Sequence, residues 1–262
     1  MSNRMALYAV FGSPISHSLS PVLHNYAFQS RKRMAFYLPV ECTPDQLGQK
    51  MDAFDKLGGH GVNFTRPLKE QVLPMLAARD VWVSDAGAAN TVRITANGWA
   101  GANTDCEALF RLVPFASVRG SEALVLGSGG AARASAAVLN RLGYRVAAAA
   151  RRPEKCDWAH ERVSWDDRLK PRGWRVVVNA TPLGQLGESF LSEWPVPAPG
   201  GLAVEWVYRP RQTQFATLAR DAGSVVIDGL TLLIEQAALA WHFWFGEEGP
   251  RDAMWEAVRP WL

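Results

Sequence analysis

Lys69 stands two residues after Pro67 in the run Asn63-Phe64-Thr65-Arg66-Pro67-Leu68-Lys69. An amine at such a place can exchange a proton with an alcohol or carbonyl oxygen. Two more polar clusters, Ser16-His17-Ser18-Leu19-Ser20-Pro21 and Asn103-Thr104-Asp105, add serine hydroxyls able to bind a carboxylate and Asn/Asp groups able to bind vicinal hydroxyls. Each cluster follows a short apolar run, and strand ends in an α/β layer are where ligands collect, so the three can converge on one small polyhydroxylated acid. Each also has a plain reading. Ser20 serves as a helix cap in addition to any ligand role, His17 can order a loop, and Asn103–Asp105 can be a turn. Lys69 is read in the first turn of a helix, where the helix dipole disfavours a cation.

A fourth constellation concerns a cofactor. Gly127-Ser128-Gly129-Gly130-Ala131-Ala132 has the form G-x-G-x-x-A between an apolar strand and a small-residue helix. Gly127 permits a tight turn, Gly129 lets backbone approach a pyrophosphate, and Ala132 keeps the helix against the strand, while the helix N-terminus offers free N–H groups. The next strand ends about 20 residues on, as the dinucleotide fingerprint requires. There an NAD enzyme places an acid for the ribose hydroxyls. This chain places Arg151 and Arg152, whose fork-shaped donors match a 2′-phosphate, so NADP is expected.

These residues need elements to hold them. Ala6–Phe11 reads as a strand, followed by a helix opened by Ser20 and Pro21, a strand at 35–40, a helix at 44–57 stopped by Gly58 and Gly59, and a strand at 61–64. A strand at 89–94 ends at the hairpin signal Asn97-Gly98. A new pattern begins at Ser121, with strands at 123–126, 145–150, 175–179, 202–207 and 224–227, helices at 131–142 and 212–222, and a long apolar helix at 230–245. Continuous apolar strands alternating with helices are what a parallel sheet covered on both faces demands. The fold expected is α/β, with a domain boundary near residue 105 that no linker or composition shift marks.

Composition narrows the class. A 262-residue chain that is 48% hydrophobic and 20% charged can build a packed core and is not a disordered or low-complexity chain. Its net charge of +3 is too small to argue for nucleic acid, and no groove-binding pattern is visible. Cys42, Cys106 and Cys156 lie far apart without metal-ligand spacing, so neither a disulfide framework nor a metal site is expected. No apolar stretch has membrane-spanning length. A soluble, reduced, cytoplasmic protein without a membrane or nucleic-acid partner is the expectation.

Taken together the motifs resemble the shikimate dehydrogenase family along nearly the whole chain. The matching segments are Phe11 to Asn25, Gly61 to Glu70, Gly87-Ala88-Ala89-Asn90-Thr91, Asn103-Thr104-Asp105, the 127–131 turn, Asn179 to Gly184, Tyr208 with Pro210, Thr213 and Phe215, and Gly229-Leu230 through Gln236-Ala237. Their common order makes the match specific. The resemblance implies an oxidoreductase that interconverts 3-dehydroshikimate and shikimate with NADP (NADPH), on the chorismate route to aromatic amino acids. It implies a catalytic pair, Lys69 and Asp105, with Asp105 holding Lys69 and a substrate hydroxyl. Ser18, Ser20, Thr65, Asn90, Tyr208 and Gln236 are implied to line the substrate. Gly127, Ser128, Gly129, Gly130 and Ala131 are implied to bind the pyrophosphate, Arg151 with Arg152 the 2′-phosphate, and Thr181, Trp206 and Gly229 to border the nicotinamide half.

The same resemblance implies two domains separated by a cleft. A discontinuous substrate domain of residues 1–105 and 235–262 has a mixed sheet, and residues 106–234 form a Rossmann-like, doubly wound NADP domain. A monomer or homodimer is expected. Arg66 stands where a small apolar residue is usual, Cys106 for glycine, Ala150 for asparagine, Glu205 for aspartate and Leu232 for methionine. A quinate/shikimate or aminoshikimate dehydrogenase is the alternative within the family. From another class, the alternative is a cofactor-binding regulatory protein without catalysis.

Overall fold

The computed structural model of the chain describes residues 5–114, 120–170, 172–185 and 193–261. It divides into two compact units, one made of residues 1–104 with 234–262 and the other of residues 105–233.

The first unit contains β1 (Ala6–Gly12), α1 (Ser20–Ser30), β2 (Ala35–Glu41), α2 (Leu47–Lys56), β3 (Gly59–Phe64), β4 (Leu76–Arg79), α3 (Val81–Ala86), β5 (Thr91–Thr95) and β6 (Gly98–Ala102). Its sheet runs β2-β1-β3-β5-β6-β4. Strand β1 is parallel to β2 and β3, whereas β5 is antiparallel to both β3 and β6, so the sheet is mixed. Side chains alternate across it: Ala9, Phe11, Val62 and Phe64 join Met51 and Phe54 of α2 in one core layer.

Chain order continues with α4 (Thr104–Leu112), β7 (Glu122–Leu126), α5 (Gly130–Arg141), β8 (Arg145–Ala149), β9 (Glu161–Val163), β10 (Val176–Asn179), β11 (Leu202–Glu205), α6 (Gln214–Asp221), β12 (Val225–Ile227), α7 (Gly229–Phe245) and α8 (Arg251–Val258). The second sheet is parallel throughout, in the order β12-β11-β10-β7-β8-β9. Counted from β7 as first, that is the 3-2-1-4-5-6 arrangement of doubly wound dinucleotide-binding folds. Its central strands are buried on both faces, which is why they read as unbroken apolar runs. In α5 the buried positions include Ala132, Ala134, Ala136 and Ala137, small enough to bring the helix close to the sheet.

The long α7 begins in the second unit and ends in the first. There its aromatic end packs on β1 and α1, with Trp244 4.8 Å from Tyr8 and Trp241 5.4 Å from Phe28, ring to ring. Trp174 and Trp194 lie in the core of the second unit. Much of the chain's tryptophan content is therefore packing. Among the described residues no helix is long and apolar enough to cross a membrane.

Three expectations need correction. Ser20 is not the cap of α1: the helix already includes it, and Leu19 precedes it in helical conformation without a side-chain capping bond of its own. The helix expected over 44–57 opens as a 3₁₀ turn at Pro44–Gln46 and becomes α-helical at Leu47. Lys69 lies in an irregular turn, since the chain after β3 reaches only a 3₁₀ turn at Leu73–Met75 before β4. No α-helix forms there, so the dipole argument against Lys69 does not apply.

Candidate active site

Strand direction gathers the polar clusters of the first unit. β1 and β3 run parallel and end at the same edge of the sheet. β5 runs against β3 and begins at that edge, and β6 runs against β5 and ends there. Hence the loop after β1 with Ser18, Ser20 at the start of α1, the loop after β3 with Thr65 and Lys69, Asn90 before β5, and Asn103 and Thr104 after β6 all leave one edge.

Hydrogen bonds knit this edge together. Tyr37 donates its hydroxyl proton to Asn63 Oδ1 at 2.7 Å. Asn63 Nδ2 donates to Thr91 Oγ1 at 2.9 Å and to the Asn90 carbonyl at 3.2 Å. Asn90 Nδ2 donates to Thr104 Oγ1 at 3.0 Å, and Asn90 Oδ1 accepts the Thr104 amide at 2.8 Å. Thr104 is thus fixed at the start of α4, with Asp105 the next residue. The backbone of the lysine segment is pinned as well, for Lys69 O accepts from Ala89 N at 2.8 Å.

Ser18 Oγ accepts the Ser20 amide at 3.3 Å, which leaves its own proton for a ligand. The Ser20 hydroxyl is hydrogen-bonded to Tyr37, and that bond partly opposes the burial that pushes the phenol's pKa well up. Gln236 is half-buried on α7, in the part of the helix that belongs to the first unit. Tyr208 belongs to a different unit from the other substrate candidates. It lies in the second unit, on the loop after β11.

In the second unit the cofactor candidates stand at the carboxyl ends of the parallel strands, the edge where such sheets bind ligands. Gly127 follows β7 with φ +114°, and a Cβ there would meet the Ala180 carbonyl oxygen at 2.7 Å, so the turn is closed to other residues. Gly129 precedes α5 with no side chain capping the helix, and a Cβ on it would meet open space. Ser128, Gly130 and Ala131 complete a turn whose free backbone N–H groups and open front fit a pyrophosphate. Arg151 and Arg152 follow β8, both exposed, and among the described residues neither guanidinium has an ion-pair or hydrogen-bond partner. Their charge suits a 2′-phosphate.

Thr181 follows β10, and its amide and hydroxyl both donate to Asn179 Oδ1, at 3.1 and 2.7 Å. Trp206 follows β11. Gly229 opens α7 against the backbone of Val207 and Tyr208, where a Cβ would meet Tyr208 N at 2.8 Å. The loop ends that carry Thr181, Trp206, Tyr208 and Gly229 therefore share one edge.

Comparison with known proteins agrees with this architecture. The model of the shikimate dehydrogenase substrate-binding domain matches residues 10–92, and that of the shikimate 5′-dehydrogenase C-terminal domain matches residues 229–259. The shikimate dehydrogenase (NADP(+)) of Anaeromyxobacter dehalogenans is 36% identical over 273 residues, covering 98% of this chain and 97% of that protein. The chain belongs to the shikimate dehydrogenase family. The crystal structure of shikimate dehydrogenase from Aquifex aeolicus has a TM-score of 0.85 at 29% identity, covering 99% of each chain. That of shikimate 5-dehydrogenase from Thermus thermophilus, in complex with NADP(H) and shikimate, has a TM-score of 0.81 at 32% identity, covering 98% of this chain and all of that one.

Within this shikimate dehydrogenase framework, the sequence gives no supporting role to several side chains that brace the site. Tyr37, Asn179, Glu205 and Thr213 each make buried hydrogen bonds to a candidate residue or its neighbour. For Asn179 and Glu205 the local signal is a polar residue at the end of an apolar strand run, after Val176-Val177-Val178 and after Leu202-Ala203-Val204.

Proposed function

We propose that the protein catalyses the NADP-dependent, reversible reduction of 3-dehydroshikimate to shikimate, a reading in keeping with the name shikimate dehydrogenase (NADP(+)) that its relatives carry. The observation that carries the reading is the single sheet edge on which Ser18, Ser20, Thr65, Lys69, Asn90 and Thr104 stand, braced by the Tyr37–Asn63–Thr91–Asn90 network. Such an edge matches a small acid bearing several hydroxyls. The reaction places the protein on the chorismate route.

Ser18 and Ser20 bind the substrate carboxylate through their hydroxyl protons, Ser20 turning its proton from Tyr37. Thr65, Asn90, Tyr208 and Gln236 bind the ring hydroxyls. Gly127 to Ala131 hold the cofactor pyrophosphate, Arg151 and Arg152 its 2′-phosphate, and Thr181, Trp206 and Gly229 border its nicotinamide. Bound there, NADPH would supply the hydride for the reduction. Lys69 Nζ donates a proton to the C3 oxygen as negative charge develops there, and in the oxidative direction it takes that proton back. Asp105 accepts a hydrogen bond from a ring hydroxyl and fixes the orientation of the reacting carbon. Both reactants are soluble small molecules, and we assign the reaction to the cytoplasm.

The test is to mix purified protein with NADPH and 3-dehydroshikimate and follow NADPH absorbance together with product by chromatography. Loss of NADPH matched mole for mole by shikimate supports the reading. NADPH that persists, or is lost without shikimate, refutes it.

A further inference from the structure

We propose that Glu205 is a positioning residue for the nicotinamide end of the cofactor site, a clamp that presents Thr181, Trp206 and Tyr208 together. The roles of those three residues rest on the function proposed above. Glu205 is the last residue of β11 and is fully buried. Its two oxygens accept from three segments. Asn179 Nδ2 at the end of β10 donates to both, at 2.9 and 3.1 Å, Val207 N donates to Oε1 at 2.8 Å, and Thr213 Oγ1 before α6 donates to Oε2 at 2.6 Å.

The bonds are relayed to the site. With Nδ2 held by the carboxylate, the Asn179 amide must turn Oδ1 the other way, and there it accepts the amide and hydroxyl of Thr181. Thr181 Oγ1 in turn accepts the Leu183 amide at 3.2 Å. Val207 lies between Trp206 and Tyr208, so the bond to its amide sets the path of both. Thr213 accepts the Ala216 amide while donating to Glu205, which ties the start of α6 to the same oxygen.

An apolar residue would serve packing at least as well as a buried carboxylate. Here every partner of the carboxylate is a donor from a loop end, which is what holding loops in register requires. Burial raises the Glu205 carboxyl to about 7, opposed by hydrogen bonds from Thr213, Val207, Asn179 and the Trp206 backbone. The groups facing it are Asn179 from β10, Thr213 from the start of α6 and the backbone at 206–207, and no charged side chain contributes to the shift. A protonated carboxyl would need an acceptor among these donors, which the Thr213 hydroxyl provides by reversing or Asn179 by turning its amide over and away from Thr181.

The test compares wild type with Glu205→Gln, an isosteric change that mimics the protonated form, and with Thr213→Ser, which keeps the hydroxyl. Shikimate oxidation is measured across pH, and amide hydrogen exchange is measured on the protein without cofactor. For Glu205→Gln the expected result is a kcat lowered about tenfold with the NADP+ KM within about threefold. Faster exchange at residues 181 and 207, and loss of a kcat inflection near pH 7, should accompany it. Thr213→Ser should stay within about twofold of wild type in both measurements. An unchanged kcat overturns the proposal whatever the exchange shows, as does slower turnover with unchanged exchange, or a rate loss equal to the loss of folded protein. If wild type itself is inactive with shikimate and NADP+, the proposed function fails, and the exchange comparison alone decides for or against the clamp.

Discussion

Trp206 Nε1 donates to Ser135 Oγ at 2.9 Å, and Ser135 in turn donates to the Ala131 carbonyl at the same distance, so the loop after β11 is tied to the helix that starts at the glycine turn. Two parts of the proposed cofactor site, far apart in sequence, are held by a single hydroxyl. Ser135→Ala should leave the indole N–H without its partner, a loss of about 1 kcal/mol. The NADP+ KM is expected to rise about fivefold while shikimate KM is kept. Steady-state kinetics with each substrate varied check this, and an unchanged NADP+ KM would show that the tie does not reach the cofactor.

Arg151 and Arg152 should discriminate between the two pyridine nucleotides. Charge-assisted bonds to a phosphate contribute about 1.5 to 3 kcal/mol, so replacing both arginines by alanine is expected to raise the NADP+ KM by one to two orders of magnitude. Use of NAD+, which lacks the phosphate, should change little. Equal losses with both cofactors would remove these residues from the 2′-phosphate site.

Lys69 is expected to act in turnover more than in binding. General acid–base groups contribute about 10²- to 10⁴-fold, so Lys69→Ala should lower kcat by about 10³-fold with a much smaller change in shikimate KM. A variant with near wild-type kcat and a raised KM would make Lys69 a binding residue only.

The parts of this design that show in the sequence are those with short-range physical causes. The second unit's strands are readable because burial on both faces leaves Val176-Val177-Val178 and Ala123 to Leu126 unbroken by polar residues. The glycine turn is readable because φ +114° at Gly127 excludes a side chain. Other elements carry no such mark. Strand β6, Gly-Trp-Ala-Gly-Ala, has neither alternation nor β-branched residues and is held by β5 and β4 on either side. Strand β4, helices α4 and α8, and the three-residue β9 are likewise unmarked, being short and stabilised by tertiary packing, whereas α3 carries local marks in its Asp80 cap and the left-handed Gly87 that ends it. The Tyr37–Asn63 bond joins residues 26 positions apart, and Glu205 is bound to Asn179 at the same separation. Such bonds follow from strand order, which no local pattern encodes.

His24 gives a prediction about stability. It is buried on α1, stacked on Tyr37 at 4.5 Å, and neither ring nitrogen has a hydrogen-bond partner. Burial lowers its pKa from 6.5 to about 3. The folded state stays neutral while the unfolded chain takes up a proton below 6.5. The contribution is therefore intact above that value and falls as pH drops toward 3, at up to about 1.4 kcal/mol per pH unit. In His24→Phe, which keeps a ring against Tyr37, this slope should disappear. Urea unfolding of both proteins between about pH 7 and about pH 4 measures it, and parallel curves would show that His24 does not govern acid stability.

The most direct test of the central claim is the initial rate of NADP+ and NAD+ reduction by the purified protein with shikimate and with quinate, all four pairs measured alike. Fast turnover is expected with shikimate and NADP+, and a kcat/KM for that pair well above the other three. Preference for quinate or for NAD+ would contradict the assignments of the carboxylate edge or of Arg151 and Arg152, and no turnover with any pair would contradict the proposed function itself.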